Sequence, residues 1–73
     1  MLRGVFAMNI KYYRIRQGLT QEEAAARCGI SSEYWGKLER GVQSATLDTV
    51  DKISDGLNIT AKDLLNESTP YLS

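Results

Sequence analysis

The chain has 73 residues, 42% of them hydrophobic, which is room for one small domain with a modest core. Nine Lys and Arg balance nine Asp and Glu, and a net charge of zero argues against a polybasic nucleic-acid arm or a membrane-surface peptide, both of which need cationic excess. There is no histidine and a single cysteine, Cys28, which excludes Cys/His zinc sites, a His-based catalytic triad and an intramolecular disulfide.

The apolar stretch from Met1 to Met8 is too short for a signal peptide, and Lys11, Arg14 and Arg16 follow it directly. No apolar run approaches the roughly 20 residues of a membrane span. Met8 is a second candidate start. A free cysteine without a signal fits a reducing cytoplasm, the expected location. One compact domain is expected over 6–66, with a short polar tail over 67–73.

Phe6, Ile10 and Tyr13 recur at i, i+4 and i+7, a helical stripe that Gly18 ends. Thr20 then offers an N-cap with Glu23 three residues on, a capping box. Ala24, Ala25 and Cys28 give this second helix a small inner face, and Gly29 stops it. Ser31 caps a third helix that runs through Arg40 and is closed by Gly41. Thr46 caps a fourth, whose Leu47, Val50, Ile53 and Leu57 form one apolar stripe, with Asn58 as a left-handed C′ residue. Thr60 with Asp63 starts a short fifth helix carrying Leu64 and Leu65. Nothing alternates with period two, so the expected fold is all-α, five helices and no sheet.

Only Gly29 and Ile30 separate the second helix from the cap of the third. So short a link forces a steep crossing, the geometry of a helix-turn-helix, with Gly29 at positive φ and Ile30 turned inward.

The run Gly18-Leu19-Thr20-Gln21-Glu22-Glu23-Ala24-Ala25, then Gly29-Ile30-Ser31, then Leu38-Glu39-Arg40-Gly41, resembles the Cro/phage-repressor type of helix-turn-helix DNA-binding domain. The likeness extends through Thr46-Leu47 to Leu57-Asn58-Ile59 and Leu64-Leu65, without gaps. It implies a five-helix, lambda-repressor-like domain. Ala24 departs from the family's usual Leu, Trp35 from its usual Ile or Val, and Ala45 from its usual Pro. If Ala24 and Trp35 face one core, a small residue opposite a large one conserves volume. The resemblance also implies a pair between Arg14 and Glu39, physically a bidentate, partly buried ion pair tying the first helix to the third. The alternative is two solvated charges at helix ends.

In the same frame Ser32, Glu33 and Lys37 match the family's base-reading positions. Lys37 suits guanine O6 and N7, Glu33 cytosine N4, and Ser32 either base. Gln21 matches a backbone-anchoring position at a helix start. Ser31, Tyr34, Arg40 and Gln43 are the further backbone candidates, and Gly36 is expected to face outward with the reading residues. Each has a plainer reading: Glu33 in a first turn also stabilises the helix dipole, and Tyr34 could simply cover the second helix. Trp35 is expected in the core.

The charges are not spread evenly. Residues 1–41 hold seven basic residues against four acidic, and residues 42–73 hold two against five. The halves therefore carry +3 and −3, with the motif in the basic one.

A single module of this size contacts one half-site weakly, so a homodimer on a palindrome is expected. Leu64, Leu65, Tyr71 and Leu72 are the candidate apolar contributors, against the alternative of core for Leu64 and tail for Tyr71 and Leu72. The leading expectation is a DNA-binding transcriptional regulator of repressor or restriction–modification controller type. The alternative is an antitoxin or other protein-binding module on the same fold. Nothing points to catalysis, a cofactor, a metal or a membrane partner.

Overall fold

The structure, a computed structural model, describes residues 2–67. Five helices and no strand are found among them: α1 (Leu2–Arg16), α2 (Gln21–Cys28), α3 (Ser32–Glu39), α4 (Leu47–Leu57) and α5 (Ala61–Leu64). Among these residues no helix is long and apolar enough to cross a membrane. The start signals act as the sequence implies. Thr20 Oγ1 accepts from Glu23 N at 3.0 Å while Glu23 Oε1 accepts from Thr20 N at 2.8 Å, a complete capping box. Ser31, Thr46 and Thr60 accept from the backbone N–H three residues on. Asn58 ends α4 at φ 57°, the left-handed conformation that asparagine tolerates.

α2 packs on α3 and α4, α1 on α3 and α5, and α4 on α5. Between them lies one cluster in which Ile10, Ala24, Trp35, Leu38, Ile53 and Leu64 are wholly enclosed. Ala24 and Trp35 share that cluster, the arrangement that small-against-large compensation requires. Tyr13 and Ile30 pack against it from its edge.

Leu47 corrects the expected α4 stripe. Val50, Ile53 and Leu57 are buried, but Leu47 is 85% exposed. It is the first helical residue, roughly 90° around the helix from the centre of the stripe, and the first turn overhangs the edge of the core.

Two tertiary devices have no periodic signature. Asn9, fully buried on α1, donates from Nδ2 to the carbonyls of Leu64 at 2.7 Å and Asn66 at 3.1 Å. It thereby satisfies backbone acceptors at the end of α5 that no helix bond would reach. Gly56 is where α4 meets α2: a Cβ there would sit 2.6 Å from Cys28 Sγ and 2.8 Å from the Arg27 carbonyl.

Candidate nucleic-acid interface

α3 divides cleanly. Its inner side buries Trp35 and Leu38, while Ser31, Ser32, Glu33, Lys37 and Arg40 are exposed. Ser31 Oγ is engaged as the N-cap, so the first turn is held by its own side chain. Gly36, expected in the open with its outward neighbours, is instead buried. The Arg40 side chain folds back over it, so that a Cβ on Gly36 would meet Arg40 Nη1 at 3.1 Å. The absent side chain thus leaves room for the Arg40 guanidinium beside the α3 backbone.

The Arg14–Glu39 pair joins α1 to α3 in bidentate fashion. Arg14 Nε donates to Glu39 Oε2 at 2.9 Å and Nη2 to Oε1 at 2.7 Å, with the two side chains 14% and 5% exposed. Arg14 Nη1 spends a third donor on the Leu19 carbonyl at 2.9 Å, at the entrance to α2. Trp35 Nε1 donates to Glu39 Oε2 as well. Burial pushes the Glu39 carboxyl up, but hydrogen bonds from Arg14 and Trp35, the Arg14 charge and a smaller contribution from Gln21 hold it below its ordinary value. The hydrogen bond to Glu39 in turn raises Arg14, against the opposing effect of burial. One carboxylate therefore sets the positions of α1, the start of α2 and the C-terminal end of α3.

Tyr34, a backbone-contact candidate, is half-buried. Its hydroxyl lies 3.1 Å from Thr49 Oγ1 on α4, which is itself 3.0 Å from Thr46 Oγ1, and its ring packs against the core. The side chain braces α3 against α4. Gln21 is half-buried as the first residue of α2, and Arg40 and Gln43 are exposed.

Of the candidate dimer residues, Leu64 has no exposed surface, because α5 packs on both α1 and α4 and its last residue fills the core between them. Leu65 is half-buried and lines an apolar groove with Leu2, Phe6, Ala45, Leu47 and Val50. Tyr71 and Leu72 lie outside the described residues. Among the described residues no group of acidic or sulfur side chains is placed to hold a metal ion.

The helix-turn-helix family model matches residues 10–64, from the core stripe of α1 to the end of α5. The chain belongs to the Cro/phage-repressor-type helix-turn-helix family. This helix-turn-helix chain is similar to a hypothetical transcription factor of Neisseria meningitidis, 34% identical over 64 residues, which are 88% of this chain and 60% of that protein. It is also similar to the control protein C.BamHI of Bacillus amyloliquefaciens, 32% identical over 69 residues, covering 93% of this chain and 85% of that one. Among solved structures, the restriction-modification controller protein C.AhdI from Aeromonas hydrophila superposes with a TM-score of 0.82 at 29% identity, over 85% of this chain and 94% of that chain.

Within this helix-turn-helix framework, sequence reading missed the Trp35 indole bond to Glu39, the Asn9 clasp on α5 and the Gly56 contact. Trp35 four residues before Glu39 was the available signal, since i and i+4 share a helix face. For Asn9, an amide flanking the apolar stripe of α1 was the only hint.

Proposed function

We propose that the chain is a sequence-specific DNA-binding transcriptional regulator of the restriction–modification controller type, reading a palindromic operator as a homodimer. The observation that carries it is the outer face of α3. Ser32, Glu33 and Lys37 stand exposed on a helix whose other side is locked by the Glu39 carboxylate and the Trp35 core contact. Control proteins among the relatives support the controller type.

In this reading α3 enters the major groove. Lys37 donates to guanine O6 or N7, Glu33 accepts from cytosine N4, and Ser32 serves either base. Gln21, Ser31, Arg40 and Gln43 hold phosphates and set the register without reading sequence. Arg40 leaves its place over Gly36 to do so. Tyr34 acts from behind by fixing α3 to α4. Two copies associate through the apolar groove, with Leu47 and Leu65 as its contributing leucines. No residue acts as a catalyst, and no cofactor is needed.

The test is binding to a palindrome upstream of the chain's own gene, measured by fluorescence anisotropy across a salt series. Affinity is expected to fall steeply with salt. Lys37→Ala is expected to lose about tenfold or more against the preferred base pair and to relax specificity at that one position. Binding that is indifferent to sequence, or undetectable at low salt, would overturn the reading in favour of a protein-binding module.

A further inference from the structure

The segment that joins α3 to α4 is anchored at both ends. Gly41, at φ 72°, closes α3 with the paired bonds of a Schellman motif: its N–H donates to the Leu38 carbonyl and the Val42 N–H to the Lys37 carbonyl, both at 3.1 Å. Thr46 caps α4, and Ala45 beside it packs against the core. Between these anchors Val42, Gln43 and Ser44 are exposed.

What reaches them comes from the far end of the chain. Arg3, in the first turn of α1, donates from Nε to Ser44 Oγ at 3.0 Å. Among the described residues this is the only hydrogen bond made to residues 43–45, and Arg3 forms no ion pair. Phe6 and Ala7, one turn on, are buried, and a Cβ on Gly41 would lie 3.8 Å from that of Ala7. The start of α1 therefore runs alongside the α3–α4 connection, within reach of Ser44. Gln43, the phosphate-contact candidate, immediately precedes the bonded residue.

We propose that Arg3 is a positioning residue for DNA recognition. Through Ser44 it holds the α3–α4 connection so that Gln43 meets the phosphate backbone at a fixed place relative to α3. The inference rests on the DNA-binding reading and on the place of Gln43 within it. Without the bond, these few exposed residues would lose their backbone freedom only on binding, at the expense of affinity. The strut has that freedom removed when the chain folds. The plainer alternative is an arginine whose own charge touches a phosphate. The two are separable, because Ser44→Ala removes the acceptor and leaves every charge in place.

The probe is a fluorescein-labelled duplex carrying the palindrome upstream of the chain's own gene. It is titrated by anisotropy with the full chain well above its dimer dissociation constant. Ser44→Ala and Arg3→Met are each expected to weaken binding about threefold to tenfold, the net strength of one hydrogen bond, and the double variant no more than either. Ser44→Thr, which keeps the hydroxyl, should bind as wild type does. In a Gln43→Ala background Ser44→Ala should have no further effect, which a merely structural role would not give. The slope of log affinity against log salt should be the same in all of them. All three positions are exposed, and circular dichroism melts confirm that each variant is folded. The strut is overturned if Arg3→Met lowers the salt slope by about one while Ser44→Ala binds like wild type, since Arg3 then touches a phosphate itself. It is overturned also if the loss in Ser44→Ala persists without Gln43, or if sedimentation shows dimerisation weakened as much as DNA binding. A wild type that does not bind the duplex would bring down the DNA-binding reading as well; a wild type that binds no better than Ser44→Ala would bring down the strut alone.

Discussion

Glu39 accepts two bonds from Arg14 and one from Trp35, so its removal strands a guanidinium and an indole N–H together. Glu39→Ala is expected to cost about 2–3 kcal/mol, read as a lowered melting temperature, because an enclosed donor left unpaired costs more than the pair contributed. The acid limb follows from the direction of its titration. The folded carboxyl sits below its ordinary 4.5, so its contribution is complete above that value and is lost as pH falls through the folded value. A stability profile of Glu39→Gln should be flatter on the acid side than that of wild type. Cys28 gives the opposite sign. Burial pushes its thiol up to about 11 from 9.0, so its contribution is complete below 9.0 and is lost as pH rises towards 11. Iodoacetamide should label the native thiol far more slowly than the denatured one at neutral pH. Equal rates would contradict its burial. Arg14 and Glu39 were legible as partners only through family resemblance; that Trp35 joins them depends on the side-chain direction of a residue expected simply to fill space.

At the scale of elements, the helix boundaries follow from local chemistry, and the contacts between helices do not. Thr20, Ser31, Thr46 and Thr60 cap because a short side-chain oxygen reaches an N–H two or three residues on, a matter of adjacent backbone. The α2–α4 contact is set by how closely two backbones approach at Gly56. Gly56→Ala would drive a methyl against the Arg27 carbonyl and the Cys28 Cα at 2.9 Å. A cost of about 3 kcal/mol is expected in chemical denaturation, since backbone cannot give way as a side-chain tip can. Substitution at an exposed helical glycine such as Gly4, where nothing lies within 4 Å, should instead stabilise slightly. Ala24→Leu tests the volume argument. With Trp35 fully enclosed in the same cluster, the added carbons should overpack the core and lower the melting temperature; an unchanged or higher value would refute compensation. α1 begins at Leu2 and already buries Phe6 and Ala7, so a chain starting at Met8 is expected to unfold at a lower temperature.

Across the whole molecule the balanced charge is a separation, +3 over residues 1–41 and −3 beyond. A net charge of zero leaves little long-range attraction towards a polyanion. Few phosphate contacts are then available to one copy, so operator binding is expected to depend on protein concentration as a dimer equilibrium requires. Leu47→Lys, at a side chain 85% exposed, should weaken dimerisation in sedimentation while leaving the melting temperature of dilute protein unchanged. The sequence by itself determined the helix count, the caps, the α2–α3 turn and the family, because these rest on periodicity and on chemistry within a few residues. Tertiary structure alone decided that Leu64 is core while Leu47 is surface, that Tyr34 spends its hydroxyl on Thr49, and that Arg40 covers Gly36. The periodic pattern assigns a residue to a face, but what that face meets depends on where the neighbouring helices end. That is fixed by packing among segments distant along the chain.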